Sequence, residues 1–179
     1  MIEIELKVRV PDLAPVRARL ETLGAERLEA VRERDLYYNA PHRDFGETDE
    51  ALRVRYAGGR VLVTYKGPKM REFGLKAREE FNTTIGDGEE FGKMLERLGF
   101  RKTIEVCKDR EYFRFAGSII SLDRVDGLGT FAEIEYAGSD RQDAERTIAE
   151  IAQKIGVEGT PLLESYLELL LSRQSGARR

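Results

Sequence analysis

Residues 2–8, Ile2-Glu3-Ile4-Glu5-Leu6-Lys7-Val8, alternate apolar and charged side chains along their whole length. This period of two is typical of a β-strand, whose successive side chains point to opposite faces. Glu3, Glu5 and Lys7 therefore share one face, and the apolar residues share the other. The direction of the charged face decides the fold, because such a face can lie in bulk water or inside a closed sheet.

The same alternation recurs along the chain and predicts about eight strands. They are Ile2–Val10, Arg32–Tyr38, Ala51–Ala57, Arg60–Lys66, Leu75–Thr83, Thr103–Phe115, Ser118–Arg124 and Thr130–Tyr136. Gly58-Gly59 predicts a tight hairpin, since paired glycines accept the positive φ angles of such turns.

Four helices interrupt the strands. Asp12, Asp87 and Asp140 are predicted to cap the first three, each of which has an apolar stripe and ends at a glycine. The segment Leu162–Leu171 is predicted as a fourth, more apolar packing helix. Residues 172–179 are polar and are predicted to fray.

An internal repeat at an offset of 75 residues relates the two halves of the chain. Leu20-Glu21-Thr22-Leu23-Gly24 matches Leu95-Glu96-Arg97-Leu98-Gly99, and 8 of 38 ungapped pairs are identical. Shared strand, cap and stop positions favour a duplication over two unrelated strand–helix–strand units.

Composition excludes several classes of protein. The 179 residues include 30 Lys and Arg, 33 Asp and Glu, one Cys and one His, with a net charge of −3. A generally basic nucleic-acid-binding surface, an internal disulfide and a histidine-rich zinc site are therefore not expected. No apolar run approaches the ~20 residues of a membrane helix, and the start lacks a signal-peptide pattern. We expect a cytoplasmic protein without membrane or nucleic-acid partners, and the sequence leaves a homodimer open.

Charged residues recur on one face of seven strands, and two orientations compete. Charged faces in water would leave an apolar lumen, as in a lipid carrier of the up-and-down barrel type. However, the apolar helix stripes also need an apolar surface to cover, and if they cover the barrel the charges must point inward. The predicted fold is therefore α+β: one domain over 1–179, an eight-stranded antiparallel closed β-barrel with helices packed outside and an internal pseudo-repeat.

Inward charges on this scale predict a function. Burying one ion costs several kcal/mol, whereas a whole domain is stable by only ~5–15 kcal/mol. A dozen such charges therefore require a hydrated tunnel, mutual pairing and a multiply charged ligand.

The acids and bases of these faces suggest the ligand. Two Glu-Ile-Glu pairs and an alternating aspartate offer oxygen ligands for Mg²⁺ or Mn²⁺. The metal candidates are Glu3, Glu5, Asp123, Glu133 and Glu135. Arginine forks and lysine ammonium groups match phosphate oxygens. The phosphate candidates are Lys7, Arg53, Arg55, Lys66, Lys76, Arg78, Lys108 and Arg110. Together they describe a site for a polyanion that binds with its own Mg²⁺, such as a triphosphate.

Glu3-Ile4-Glu5-Leu6-Lys7 resembles the ExExK signature of the CYTH superfamily, the triphosphate tunnel metalloenzymes. The resemblance continues in order through Asp35-Leu36-Tyr37-Tyr38, Leu52-Arg53-Val54-Arg55, Lys66-Gly67-Pro68, Arg78-Glu79-Glu80, Lys108-Asp109-Arg110, Asp123, Gly127-Leu128-Gly129-Thr130-Phe131-Ala132-Glu133-Ile134-Glu135 and Ser165-Tyr166. The glycine-rich stretch and the Lys-Gly-Pro turn are most similar to the class IV, or CyaB-type, adenylate cyclase branch.

The resemblance implies an eight-stranded tunnel whose acids hold metal and whose bases hold triphosphate. It also matches Tyr37 and Lys66 to a pair that helps activate the attacking water in triphosphatase members, although a packed structural tyrosine explains Tyr37 equally well. The leading activity is conversion of ATP to cyclic AMP and pyrophosphate. The alternatives are hydrolysis of thiamine triphosphate, nucleoside triphosphate or tripolyphosphate, and a non-catalytic polyphosphate-binding module.

Overall fold

The computed structural model describes residues 2–70, 75–136, 138 and 140–176. Its strands are β1 Ile2–Arg9, β2 Glu26–Asn39, β3 Ala51–Ala57, β4 Arg60–Lys66, β5 Lys76–Ile85, β6 Arg101–Phe115, β7 Ser118–Val125 and β8 Gly129–Tyr136. Its helices are α1 Ala14–Thr22, α2 Gly88–Arg97, α3 Arg141–Ile155 and α4 Tyr166–Gly176. The strands form a closed antiparallel barrel in the order β1-β5-β4-β3-β2-β6-β7-β8. The predicted fold class is confirmed.

The two halves of the barrel follow one pattern. β1, α1 and β2 correspond to β5, α2 and β6 at the offset of 75 residues seen in the sequence. Two of the pairings between the halves, β1 with β5 and β2 with β6, join strands that are equivalent in the repeat. In these pairings Glu3 lies opposite Arg78 and Glu33 lies opposite Lys108, so each pair joins equivalent positions of the repeat. The pseudo-two-fold axis therefore passes between side chains of opposite charge.

Most of the buried apolar side chains lie outside the barrel wall, beneath the helices. One cluster packs α1 and α3 against β1, β7 and β8, and includes Leu20, Ile134 and Ile151. A second packs α2 against β2, β3 and β4. A third lies on inward strand faces at one end of the barrel, where α4 brings Tyr166 onto Phe131. Because the outer faces bury the apolar residues, alternation turns the charged residues toward the barrel axis.

The hairpin prediction at Gly58-Gly59 is confirmed. The two glycines form the turn between β3 and β4 with φ values of 54° and 75°. The predicted caps of α2 and α3 are also confirmed, since Asp87 and Asp140 each accept backbone N–H groups of the first turn. The α1 prediction was wrong in detail: Leu13 is the N-cap residue, and Asp12 accepts from Ala14 N at 3.0 Å.

The fourth helix begins later than predicted. Leu162 instead donates its backbone N–H to Lys7 O at 2.8 Å, which keeps this segment against β1. The helix starts after Ser165, whose Oγ accepts from Glu168 N while Glu168 Oε2 accepts from Ser165 N. This reciprocal capping box fixes the start at Tyr166.

The predicted frayed tail is partly helical. α4 continues through 172–176, and 177–179 lie outside the described residues. Among the described residues, no helix has the length and apolar character needed to cross a membrane.

Candidate functional site

The barrel lumen holds a polar cavity of about 220 Å³ whose lining consists mainly of charged side chains. Among the described residues, eight cationic and eight acidic side chains point inward, so their formal charges balance. The cations are Lys7, Arg53, Arg55, Lys66, Lys76, Arg78, Lys108 and Arg110. The acids are Glu3, Glu5, Glu33, Asp35, Glu80, Asp123, Glu133 and Glu135. The inward orientation is therefore correct, and the lipid-carrier alternative is wrong.

Four glutamates converge at one part of the lumen: Glu3, Glu5, Glu80 and Glu135. Lys66 Nζ lies 2.9 Å from Glu3 Oε2 and also contacts Glu80, and Lys76 Nζ lies 2.6 Å from Glu5 Oε1. Glu135 keeps part of its surface in water. Desolvation by the surrounding protein, with repulsion from the other three glutamates, still raises the pKa of its carboxyl to about 7.

The four glutamates outnumber the two lysines beside them, and a divalent cation would balance this local excess of negative charge. Among the described residues, no three acidic, His or Cys side chains already stand in metal-binding geometry. The donors are nevertheless all carboxylate oxygens, which suit hard cations. Burial likewise raises the pKa of Glu3, so the group as it stands resists full ionisation. A cation among these oxygens would remove that repulsion.

A second group forms around Arg110. Its Nε donates to Asp123 Oδ1 at 2.6 Å, and its Nη2 contacts both Asp123 and Glu133. Glu133 Oε1 also lies 3.2 Å from Lys7 Nζ. Asp123 has no exposed surface and accepts a further bond from Tyr166. The structure thus brings Asp123 and Glu133 onto Arg110, and the group that contains Glu5 adjoins them, because Lys7 Nζ also lies 3.8 Å from Glu5 Oε1.

A third group was not predicted as part of the site: Glu33 and Asp35 on β2. Asp35 accepts from Arg55 Nε at 2.7 Å and from Lys108 Nζ at 2.8 Å. Glu33 Oε2 lies 2.7 Å from the same Lys108 nitrogen. The signal was available, because both acids alternate with Tyr37 on a predicted strand. They hold Arg55 and Lys108 in the lumen.

Two inward arginines differ in how their donors are used. Arg78 Nε donates to Gly67 O at 2.8 Å, and its Nη2 donates to Asp49 O. Arg53 Nη2 donates to Thr64 Oγ1 at 3.0 Å, while its buried Nε has no hydrogen-bond partner among the described residues. Arg53 is therefore the predicted phosphate ligand with a buried donor that remains available.

Tyr37 and Lys66 both line the lumen but have different surroundings. Tyr37 is buried in the apolar cluster at the α4 end of the barrel, together with Ala51 and Val106. The Lys66 ammonium lies against Glu3 and Glu80. Their joint role in catalysis stays a prediction.

Among the described residues that line the lumen, two come from outside the barrel strands. Tyr166, the first residue of α4, lines the cavity beside Ser165. Strand alternation could not indicate it, because its position depends on how the chain returns after α3.

The chain matches the CYTH domain model over residues 1–179. It is 37% identical over 173 residues to the Methanocaldococcus jannaschii protein named "Putative adenylate cyclase MJ0240", with 94% of this chain and 98% of that protein covered. It is 26% identical to "Adenylate cyclase CyaB" of Aeromonas hydrophila, covering 89% of this chain and 83% of that one.

Solved structures share the fold. PH1819 of Pyrococcus horikoshii superposes with a TM-score of 0.84 at 37% identity, covering 96% of this chain and 99% of that one. The Hippeastrum protein HpAC1, described as having a dominant triphosphatase activity, superposes with a TM-score of 0.75 at 20% identity, covering 95% of each chain. At that identity the likeness shows the shared fold alone.

A closed barrel with ionic groups on its axis, and a family model matched from end to end, lead to one conclusion. The chain belongs to the CYTH domain family, whose members process triphosphates with divalent metal ions.

Proposed function

We propose that the chain is a Mg²⁺- or Mn²⁺-dependent enzyme that binds the triphosphate group of its substrate in the barrel lumen. Its leading activity is conversion of ATP to cyclic AMP and pyrophosphate, in line with the names of its relatives.

The main support is the state of Arg53. A buried guanidinium without a full set of partners is costly, and a folded chain rarely keeps such a donor without a use. Arg53 lies between β2 and β4, opposite Tyr37 and Thr64. A phosphate oxygen in the lumen would satisfy its Nε.

Charge balance also supports a ligand that binds with its own cations. The inward charges already cancel, so a bare polyanion would leave the lumen with excess negative charge. A triphosphate accompanied by divalent cations keeps the balance, since phosphate replaces carboxylate at the cationic groups and metal replaces ammonium at the carboxylates.

Glu3, Glu5 and Glu135 would hold such a cation, with Asp123 and Glu133 as the remaining predicted ligands. When bound, a divalent cation stabilises the negative charge that develops on the phosphate oxygens. Among the other lumen residues, Lys7, Arg55, Lys108 and Arg110 would orient the phosphates. Catalysis then depends mainly on position and charge neutralisation, which is what phosphoryl-group chemistry requires of a protein.

The organic part of the substrate would lie in an adjoining pocket of about 180 Å³. This pocket shares Tyr37, Ala51, Arg78 and Ser165 with the lumen and adds Phe45 and Leu167. Its aromatic and aliphatic side chains suit a flat ring outside the phosphate-binding zone, and its acids could accept hydrogen bonds from that ring. The acids are Asp44, Asp49, Glu50 and Glu168.

Triphosphate hydrolysis is the second candidate function. The charged lumen groups would bind the phosphate chain and not the organic group. Hydrolysis of the terminal phosphate would therefore use the same residues. HpAC1, which shares the fold, is described as having this activity.

Product analysis separates the candidates. The chain is incubated with ATP, thiamine triphosphate or tripolyphosphate and with Mg²⁺ or Mn²⁺, and cyclic AMP, pyrophosphate and orthophosphate are measured. Cyclic AMP with pyrophosphate supports the cyclase, and orthophosphate supports the triphosphatase. Neither product, with tight metal-independent binding, would instead indicate a non-catalytic polyphosphate-binding module.

Glu135→Ala tests the metal requirement. We expect it to abolish metal-dependent turnover and to keep the fold, because burial and repulsion from the other glutamates outweigh the attraction of this carboxylate to Lys66. Circular dichroism checks the fold. Full turnover in the folded variant would remove Glu135 from the predicted metal ligands.

A further inference from the structure

Tyr166 reaches the lumen from a helix that lies outside the barrel. Its side chain is 6% exposed, and it stands at the start of α4, where the Ser165–Glu168 capping box fixes the backbone. Leu162 pairs with the backbone of Lys7, and Lys7 Nζ donates to Glu164 O at 3.3 Å. These contacts hold the segment before α4 across the end of the barrel, with Tyr166 directed inward.

The ring of Tyr166 contacts two lumen cations. Lys7 Nζ lies 4.3 Å from the ring centroid and Lys108 Nζ lies 6.0 Å from it. Both distances are in the range of a cation–π interaction. The two ammonium groups come from β1 and β6, which are not neighbours in the barrel. The ring therefore bridges cations from separate parts of the wall.

An aromatic face differs from a carboxylate as a partner for these lysines. It attracts the positive charge but accepts no conventional hydrogen bond. The other sides of the two ammonium groups face carboxylates: Glu133 Oε1 lies 3.2 Å from Lys7 Nζ, and Glu33 and Asp35 lie 2.7 and 2.8 Å from Lys108 Nζ. Phosphate oxygens would take the places of these carboxylates while the ring keeps its contact. Lys7 and Lys108 are 2% and 1% exposed. At this burial, the position of each nitrogen depends on the groups that surround it.

The hydroxyl of Tyr166 has a separate partner. It donates to Asp123 Oδ2 at 2.6 Å, and Asp123 is bound on its other side by Arg110. The ring thus faces the cations while the hydroxyl binds an acid, and the hydroxyl contact can be removed while the ring contact is kept.

We propose that Tyr166 is a positioning residue for triphosphate binding: its ring holds the Lys7 and Lys108 ammonium groups where phosphate oxygens meet them, and its hydroxyl orients Asp123. This inference rests on the proposed function. The ring determines affinity for the phosphate chain, whereas the hydroxyl acts through Asp123 and leaves that affinity largely unchanged.

Two variants separate the parts of this proposal. Tyr166→Phe keeps the ring and removes the hydroxyl, and Tyr166→Leu removes both. Phe113→Leu is the matched control, because Phe113 is equally buried but packs in the outer apolar cluster. Tripolyphosphate binding is measured by calorimetry without divalent metal, and KM and kcat are measured with Mg²⁺ or Mn²⁺.

We expect Tyr166→Leu to weaken tripolyphosphate binding and to raise KM by about tenfold, the size of a desolvated cation–π contact. Tyr166→Phe should stay within about twofold of wild type in both, since its ring still faces the lysines. Phe113→Leu should lower thermal stability and leave affinity unchanged. Equal affinities in wild type and Tyr166→Leu, or equal losses in the Leu and Phe variants, would overturn the proposal.

Failure of the proposed function gives a different result. In that case wild type turns over none of the triphosphates, but calorimetry can still compare the tripolyphosphate affinities of wild type and the variants. Wild type that neither binds tripolyphosphate without metal nor turns over any triphosphate with Mg²⁺ or Mn²⁺ would overturn both proposals together.

Discussion

At the scale of single residues, the lumen shows that identical side chains on one face can have different roles. Arg78 and Arg53 both point inward, yet Arg78 binds backbone carbonyls of Gly67 and Asp49, and Arg53 keeps a buried donor without a partner. The first fixes the wall of the barrel. The second is the better candidate for binding a ligand.

Arg53→Ala should weaken tripolyphosphate binding by about 10- to 100-fold, the value of one charge-assisted hydrogen bond. Thermal stability should not fall, because the substitution removes an incompletely satisfied buried ion. Calorimetric titration and thermal melting measure the two effects. Arg60→Ala is the control, since Arg60 is exposed and pairs with Glu29 on the surface. Equal affinity in Arg53→Ala and Arg60→Ala would exclude Arg53 from the site.

The pKa of the Glu33 carboxyl predicts that the stability of the fold depends on pH. Burial opposes its ionisation, but Lys108, Arg110 and Arg55 prevail and lower the pKa of its carboxyl to about 2. Because this pKa lies below the ordinary value of 4.5, the ionised group stabilises the fold above pH 4.5 and loses that effect as the pH falls toward 2.

Wild type should therefore exceed Glu33→Gln in free energy of unfolding at pH 7 by on the order of 3 kcal/mol. The difference should shrink between pH 4.5 and 2. Urea denaturation at a series of pH values measures it. A difference that does not vary with pH would show that Glu33 contributes through shape or hydrogen bonding and not through its charge.

At the scale of elements, equivalent aspartates of the repeat have different positions at their helices. Asp87 is the N-cap of α2, and its Oδ1 accepts from both Glu89 N and Glu90 N at 2.9 Å. Its counterpart Asp12 precedes the N-cap of α1 and accepts from Ala14 N. Proline in the first turn of α1 already lacks a donor, so that helix has less need of a cap.

Asp87→Ala should consequently lower the free energy of unfolding by about 1 kcal/mol, the usual value of an N-cap. Asp12→Ala should cost less and serves as the matched control. Chemical denaturation of both variants at neutral pH makes the comparison. An equal or larger loss in Asp12→Ala would contradict this account of the two helices.

At the scale of the whole molecule, the pseudo-two-fold barrel places its halves so that their ionic faces meet on one axis. Closure leaves no free sheet edge, and two of the apolar clusters lie outside the wall. The lumen can then hold charged side chains without interrupting these clusters. A ligand that binds there should stabilise the entire domain.

Tripolyphosphate together with Mg²⁺ should raise the melting temperature by about 5–10 °C when present at ~100 times its Kd. Either component alone should give a smaller shift, because each leaves like charges facing one another in the lumen. Thermal melting with each component and with both measures this. Additive shifts from the separate components would argue against a joint site.

Much of the fold and part of the site follow from alternation. The inward faces of Glu3, Arg55 and Lys108 were predicted correctly because a strand's period of two is a local property. Glu33 and Asp35 were missed although the same rule applies to them, because alternation indicates the face of a side chain but not the ion pairs that it forms with other strands. Tyr166 could not be placed, because no local pattern specifies where a chain segment returns.

The sequence by itself determined which side chains share a face, where the first half repeats, and which residue types are present for oxygen and phosphate chemistry. These properties depend on neighbours along the chain. The tertiary structure alone decided that Asp123 and Glu133 bind Arg110, that four glutamates crowd together, and that Tyr166 lies beneath two lysines. Such groupings depend on strand register and helix docking, which bring together residues far apart in sequence.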